Sequence, residues 1–245
     1  MEPTVLAAAV DLLAARCRPD DAATDGQPVR VLDLGGGTGG QALRLVLAGH
    51  DVTVVDPSPD ALAALARRAA EAGVADRLRG VQGDAEDLGA VLGAGTVDLV
   101  LCHGVLEVVD DPRVALTSIR RVLRGSGRLS LLVAQRHAAV LSRVSAGHLR
   151  RAHHIALDPD GRWGAGDLLR RRFDVAGVTA LLETSGFRPV AVEGVRVFAD
   201  LLPATSRTAA EDANRTLLAE LETWAGAQPG FLDVAAQLHV DAAPV

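Results

Sequence analysis

Residues 31–40 read VLDLGGGTGG: an apolar run carrying one acid, followed by five glycines. With Val29 and Arg30 in front, the run is short and aliphatic and reads as a buried strand. The glycines end it. Their conformational freedom suits a tight turn whose backbone can approach a ligand. Beyond them GGQALRLVLAGH (39–50) has apolar residues at three-to-four spacing, so a helix opens where the turn closes. Gly35, Gly37 and Gly40 thus satisfy G-x-G-x-x-G between a strand and a helix.

The same alternation extends outward. DVTVVD (51–56), LRGVQGD (78–84), VDLVLCH (97–103) and GRLSLLVA (127–134) are strand candidates bounded by Gly or Asp. SPDALAALARRAAEAG (58–73) and DPRVALTSIRRVLR (111–124) are helix candidates; Ser58 is placed to cap the former and Pro59 to begin it. Strands alternating with helices predict right-handed βαβ units and a parallel sheet covered on both faces. Residues 135–174 break the rhythm. They are rich in His and Arg and read as an inserted, partly helical lid. The pattern resumes with helix DVAGVTALLETSG (174–186) and strand PVAVEGVRVFAD (189–200). A helix at about 208–225 and a strand near 232–240 follow. The expectation is one domain over 1–245: a cofactor-binding half at 29–134, the lid at 135–174, and the rest of the sheet at 175–245.

Composition narrows the function classes. Apolar residues make up 49% of the 245, enough for a large core, yet aromatics are only 2%, so packing must rest on Val, Leu and Ala. There is no Lys; every basic charge is Arg. The net charge of −6 supplies no global attraction for nucleic acid, although a local Arg patch still would. Cys17 and Cys102 are too few for a disulfide scaffold or zinc cluster. His137, His148, His153 and His154 match no zinc spacing, so no metal is expected. The N-terminal stretch lacks a signal-peptide pattern and no run is long enough to span a membrane, so a cytoplasmic protein is expected.

Asp33 separates two ligand classes. A nicotinamide dinucleotide brings a pyrophosphate to such a turn, and a carboxylate two residues before the first glycine would repel it. S-adenosyl-L-methionine brings an ammonium and a sulfonium, which Asp33 favours directly or through water. A structural alternative is that Asp33 braces the turn by bonding nearby backbone. Asp56 ends the second strand at the distance where an acid holds ribose hydroxyls; alternatively it caps the next helix. Ala85 and Glu86, in GDAEDL (83–88), are placed to line the adenine, or Asp84 or Asp87 is an N-cap. His103 ends the fourth strand, at the edge where open α/β sheets expose their ligand crevice, unless it is a satisfied structural histidine. Arg196 stands in an apolar strand, where unpaired burial is costly, so it must face a cleft or a carboxylate.

D-x-G-x-G-x-G, the acid after strand two and VDLVLCHGVLEVVDDP (97–112) together resemble the class I S-adenosylmethionine-dependent methyltransferases. With GVRVFADLL (194–202) and LLAELET (217–223), the chain looks most like the bacterial tRNA 5-carboxymethoxyuridine methyltransferase family, from residue 29 onward. The resemblance implies a Rossmann-like, mostly parallel seven-stranded sheet. It also implies cofactor contacts at Gly35, Gly36, Asp56, Ala85, Glu86 and His103, with Asp33 and Gly37 in the same loop, and a carboxylate acceptor on a modified wobble uridine. A lysine run of the family's insertion is replaced here by Arg170, Arg171 and Arg172, which alternatively form a solvated face. Base stacking would fall to Trp163, Phe173, Trp224 or an arginine plane. A carboxylate acceptor is already ionised and needs cationic anchors such as Arg196 rather than a base. The alternatives are a small-molecule O- or N-methyltransferase using His103 as general base, and a non-catalytic S-adenosylmethionine-binding partner protein.

Overall fold

The computed structural model describes residues 4–16, 28–202 and 211–245. Cys17 and residues 208–210 of the helix expected near the C-terminus lie outside them. β1 (Arg30–Leu34) is the strand before the glycines, and it pairs in parallel with β2 (Asp51–Asp56) and β4 (Val97–His103). β3 (Leu78–Gln82) lies beside β2, and β5 (Leu123–Ala134) beside β4. β7 (Gln237–Pro244) then runs antiparallel between β5 and β6 (Phe187–Val195). The strand order is β3-β2-β1-β4-β5-β7-β6, so the sheet has seven strands of which only β7 is reversed.

Both faces are covered, which is why the central strands read as nearly continuous apolar runs. On one face α1 (Thr4–Arg16), α2 (Gly40–Leu47) and α3 (Pro59–Glu71) bury Val10, Leu13, Leu45, Val46 and Leu65 against Val31, Val54 and Leu101. On the other, α4 (Leu88–Leu92), α5 (Pro112–Val122) and α8 (Val175–Thr184) bury Leu88, Leu116, Ile119 and Leu182 against Leu32, Val100 and Leu131. α3 begins as its sequence dictates: Ser58 Oγ accepts the Ala61 N–H at 3.2 Å and Pro59 stands at the first helical position.

The segment after β5 folds as a helical hairpin, α6 (Arg136–Ser145) and α7 (Leu149–Leu157). Arg136 closes it. Its Nε donates to Ile155 O at 3.1 Å and its Nη2 to Ala156 O at 3.0 Å, satisfying carbonyls left open at the end of α7.

Several expectations are corrected. The strand expected at 189–200 is β6, which starts at Phe187 and stops at Val195, because the chain turns at Arg196. The strand expected near 232–240 is β7 at Gln237–Pro244; Pro229 opens a short helix, α10 (Pro229–Leu232), in front of it. α9 occupies Glu211–Gly226. α1 and α4 were not read from the sequence.

Candidate active site

The C-terminal ends of β1 to β4 open onto a cavity of about 500 Å³. Gly35, Asp56, Ala85, Glu86 and His103 all line it, as does Arg170 from the segment after the hairpin. Asp33, Gly36, Gly37 and Arg196 do not.

The glycine turn explains its own composition. Gly35 has φ +69° and donates its N–H to Val55 O at 2.8 Å, and a side chain there would meet Val105 Cγ2 at 2.7 Å. Asp33 is only 4% exposed and points to the α2–α3 side of the sheet. A Cβ at Gly36 would lie 2.5 Å from Asp33 Oδ2, so the carboxylate is tucked beneath the turn. Asp33 thus lies under the turn rather than in the cavity lining, which favours action through the turn or a bridging water over direct contact. A buried negative charge beneath the turn still acts electrostatically, because screening there is weak.

Asp56 links two turns. Its Oδ2 accepts the Gly37 N–H at 2.9 Å and its Oδ1 the Ser58 N–H at 2.8 Å. Each carboxylate oxygen has a second lone pair, which leaves Asp56 able to accept from a ribose hydroxyl. Asp84 Oδ1 accepts the Glu86 N–H at 3.1 Å and so shapes the bend that carries Ala85 and Glu86. Asp87 precedes α4 without a side-chain cap.

His103 Nε2 is 2.9 Å from Ser130 Oγ, and Ser130 Oγ is 2.8 Å from His239 Nε2. Burial first, and the charge His239 would carry second, push the His103 imidazole down to about 3. It is therefore neutral at physiological pH and weakly basic, which argues against the alternative that makes it a general base.

Arg196 sits one residue past β6 with φ +59°, in a conformation non-glycine residues rarely adopt. Its guanidinium pairs with Asp200 and is 43% exposed, so Arg196 faces a carboxylate, as its apolar setting requires, but from an exposed corner outside the cavity lining. Glu222 on α9 builds this corner: its carboxylate accepts the N–H groups of Val197, Phe198 and Ala199 at 2.8, 2.9 and 2.7 Å. A run of consecutive N–H groups around a carboxylate is a nest no sequence motif announced.

The arginine run divides. Arg171 donates from Nη1 to Leu106 O and Val109 O at 2.7 Å each, and from Nη2 to Asp110 O at 3.0 Å. Arg172 pairs with Asp167 at 2.7 Å, with side chains 7% and 3% exposed. Neither forms a solvated face: Arg171 braces the lid against the β4–α5 connection, and Arg172 ties the lid segment to itself through Asp167 and Gly161 O. Arg170 alone turns to the cavity, paired with Asp110 at 2.8 Å. Beneath it Glu107, 2% exposed, accepts the Ala134 N–H at 2.6 Å while its other oxygen has no partner among the described residues. Burial raises its pKa, against the Ala134 N–H and the charges of Arg171 and Arg172.

The aromatic candidates separate too. Phe173 is buried in the core, and Trp224 stacks edge-on to Phe231 at 5.4 Å on the α9 side. Trp163 is half-buried in the lid, with the exposed Arg151 guanidinium 4.3 Å above its ring. Among the described residues no group of His, Cys, Asp and Glu is arranged to hold a metal ion, and no helix is long and apolar enough to cross a membrane.

The volume falls in the range of small-ligand pockets, and an acid at the end of β2 beside a side-chain-free turn fits a nucleoside. Asp56 would hold the ribose, the Ala85–Glu86 bend the adenine, and the Gly35 turn the amino-acid portion. The fold and this cavity suit an S-adenosylmethionine-dependent methyltransferase of class I. Residues 32–131 match the protein family described as "Methyltransferase domain". Over 217 residues the chain is 35% identical to tRNA 5-carboxymethoxyuridine methyltransferase of Escherichia coli (strain K12), covering 88% of this chain and 80% of that one. It is 31% identical over 167 residues to the ubiquinone biosynthesis O-methyltransferase of Xanthomonas axonopodis pv. citri (strain 306), covering 68% and 65% of the two chains. The fold superposes with a TM-score of 0.57 and 20% identity on 1,6-didemethyltoxoflavin-N1-methyltransferase of Burkholderia thailandensis, solved with S-adenosylhomocysteine, over 100% of this chain and 80% of that one. The chain belongs to the class I S-adenosylmethionine-dependent methyltransferases, and its methyl donor is S-adenosyl-L-methionine.

Proposed function

We propose that the acceptor is the carboxylate of a 5-carboxymethoxyuridine-type wobble nucleoside in tRNA, converted to its methyl ester. The observation that carries this reading is the 35% identity to an enzyme named for that reaction, extending over 88% of the chain. The site chemistry supports it. S-adenosylmethionine supplies a methyl group on a sulfonium; the carboxylate oxygen forms the new C–O bond, the S–CH3 bond breaks, and its electron pair stays on sulfur. No proton moves, so no base is needed, which suits a cavity whose imidazole is a poor one. The acceptor's negative charge instead needs cations. Among the described residues Arg170 is the one arginine lining the cavity, and Arg196 follows the end of β6, the edge strand separated from β4 by β5 and β7. Each pairs with an exposed aspartate, Asp110 and Asp200, that an incoming carboxylate replaces. Holding the two reactants in line supplies the acceleration.

Residues 29–134 form the cofactor half of one domain, and the α6–α7 hairpin with the following loop forms its lid. Exposed Arg150 and Arg151, with Trp163 under Arg151, give the lid a phosphate- and base-contacting surface. The test is methyl transfer from labelled S-adenosylmethionine to tRNA lacking the ester, followed across a salt series. Transfer is expected to fall steeply with salt, because phosphate contacts release counterions. The likeness to the ubiquinone O-methyltransferase supports a second reading, a small-molecule acceptor, for which label would enter small metabolites with little salt dependence.

A further inference from the structure

A line of polar side chains crosses the sheet behind the cofactor cavity. His103 on β4, Ser130 on β5, His239 on β7 and Glu193 on β6 share the face covered by α1, as the strand registers require: His103 is opposite Leu132, two residues from Ser130, and Leu132 is opposite His239, itself opposite Glu193. Ser130 is 0% and His239 3% exposed. The separations are 2.9 Å from His103 Nε2 to Ser130 Oγ, 2.8 Å from Ser130 Oγ to His239 Nε2, and 3.7 Å from His239 Nδ1 to Glu193 Oε2. Other charged groups on this face are Asp241 and Arg128, which pair with each other, and the buried Asp33 on β1, opposite Leu101 in the row that leads to Ser130.

Proton counting orders the line. A serine hydroxyl has one proton to donate. Ser130 lies between two Nε2 atoms, and with one proton and two lone pairs it donates to at most one of them. While His239 carries one proton, the Glu193 carboxylate favours that proton on Nδ1. His239 Nε2 is then bare and accepts from Ser130, and Ser130 Oγ accepts from a protonated His103 Nε2. The proton of His103 is therefore on Nε2, and its Nδ1 is a lone pair. That Nδ1 makes no hydrogen bond among the described residues and is open to the cavity His103 lines.

The geometry points to Ser130, His239 and Glu193 as positioning residues that fix the His103 tautomer, so that Nδ1 presents a hydrogen-bond acceptor to an N–H or O–H donor of the bound cofactor, its ammonium by preference. An acceptor of low basicity suits that role, since the donor keeps its proton. The inference rests on the cofactor assignment and not on the identity of the acceptor, so it survives if the tRNA reading fails.

The test is the 15N spectrum of the uniformly labelled protein at pH 8, with the ring nitrogens of His103 assigned. A protonated-type shift at Nε2 and a bare-nitrogen shift at Nδ1 are expected; the opposite pattern overturns the inference. Calorimetry with S-adenosylmethionine then reads the consequence. Ser130→Ala, and independently Glu193→Gln at the half-exposed end of the line, should mix the His103 tautomers and weaken binding about tenfold or less, the scale of one hydrogen bond. Wild-type tautomer and affinity in both variants would assign the line to packing alone.

Discussion

The two halves of the sheet build the site by different means. On the β3-β2-β1-β4 side the work falls largely to backbone: the Gly35 turn, the Ala85–Glu86 bend, and N–H groups anchored by Asp56. On the β5-β7-β6 side it falls to side chains: Ser130, His239, the Glu222 nest and the arginines of the lid. A backbone-built half tolerates little added volume but any peripheral charge. A side-chain-built half depends on complete pairing, because each buried polar group left alone is costly.

Substitutions that leave one partner behind sharpen this contrast, and the largest effect belongs to the lid. Arg172→Met strands the buried Asp167 carboxylate, and removing one member of a buried pair costs about 3–5 kcal/mol. Local hydrogen exchange over 158–174 should accelerate and thermal stability drop; unchanged exchange would show the lid to be held by other contacts. In the backbone-built half, Gly36→Ala places a methyl group against the Asp33 carboxylate. Overpacking of about 1–3 kcal/mol is expected there. It should appear in calorimetry as weakened S-adenosylmethionine binding, and normal affinity would mean that the turn yields.

Glu107→Gln tests the same contrast with the opposite sign. It keeps an acceptor for the Ala134 N–H and removes a buried charge. Burial raises the folded-state pKa of Glu107, so the wild type loses stability as pH climbs above the unfolded value of about 4.3. The variant lacks that loss. Its melting temperature should exceed the wild type's by a margin that widens from pH 4 to pH 7, whereas a constant or shrinking margin would mean that Glu107 is satisfied as an anion. The smallest stability effect is expected of Arg196→Gly. It relieves a left-handed backbone conformation and loses an exposed ion pair, two terms each of about 1 kcal/mol or less and of opposite sign. Turnover with the acceptor should nevertheless fall; full activity would leave Arg196 a structural corner.

The backbone-built half was legible in the sequence because glycine, strand-end acids and period-3.6 helices are local signals. β1 to β4, α2, α3 and α5 follow them closely, and Gly35, Asp56, Ala85, Glu86 and His103 meet at one cavity. The other half hid for physical reasons. QLHVDAA alternates polar and apolar residues as a strand with one wet face would, yet α1 and the sheet bury His239 and Asp241, and nothing within β7 records that cover. Arg170, Arg171 and Arg172 are identical as letters; only the carbonyls of 106–110 and the Asp167 carboxylate distinguish them. Arg196 shows the same limit, since its apolar neighbours suggest a strand that Glu222, over twenty residues away, turns into a corner. The charge of Asp33 is legible beside the glycines, whereas its burial beneath the turn follows from strand parity and packing.

The most direct measurement is the chemistry of the transferred methyl group. After incubation with labelled S-adenosylmethionine and tRNA lacking the wobble ester, the RNA should carry label that mild alkali releases as methanol, the signature of a methyl ester. Label that withstands alkali, or label confined to small molecules, would contradict a carboxylate acceptor on tRNA.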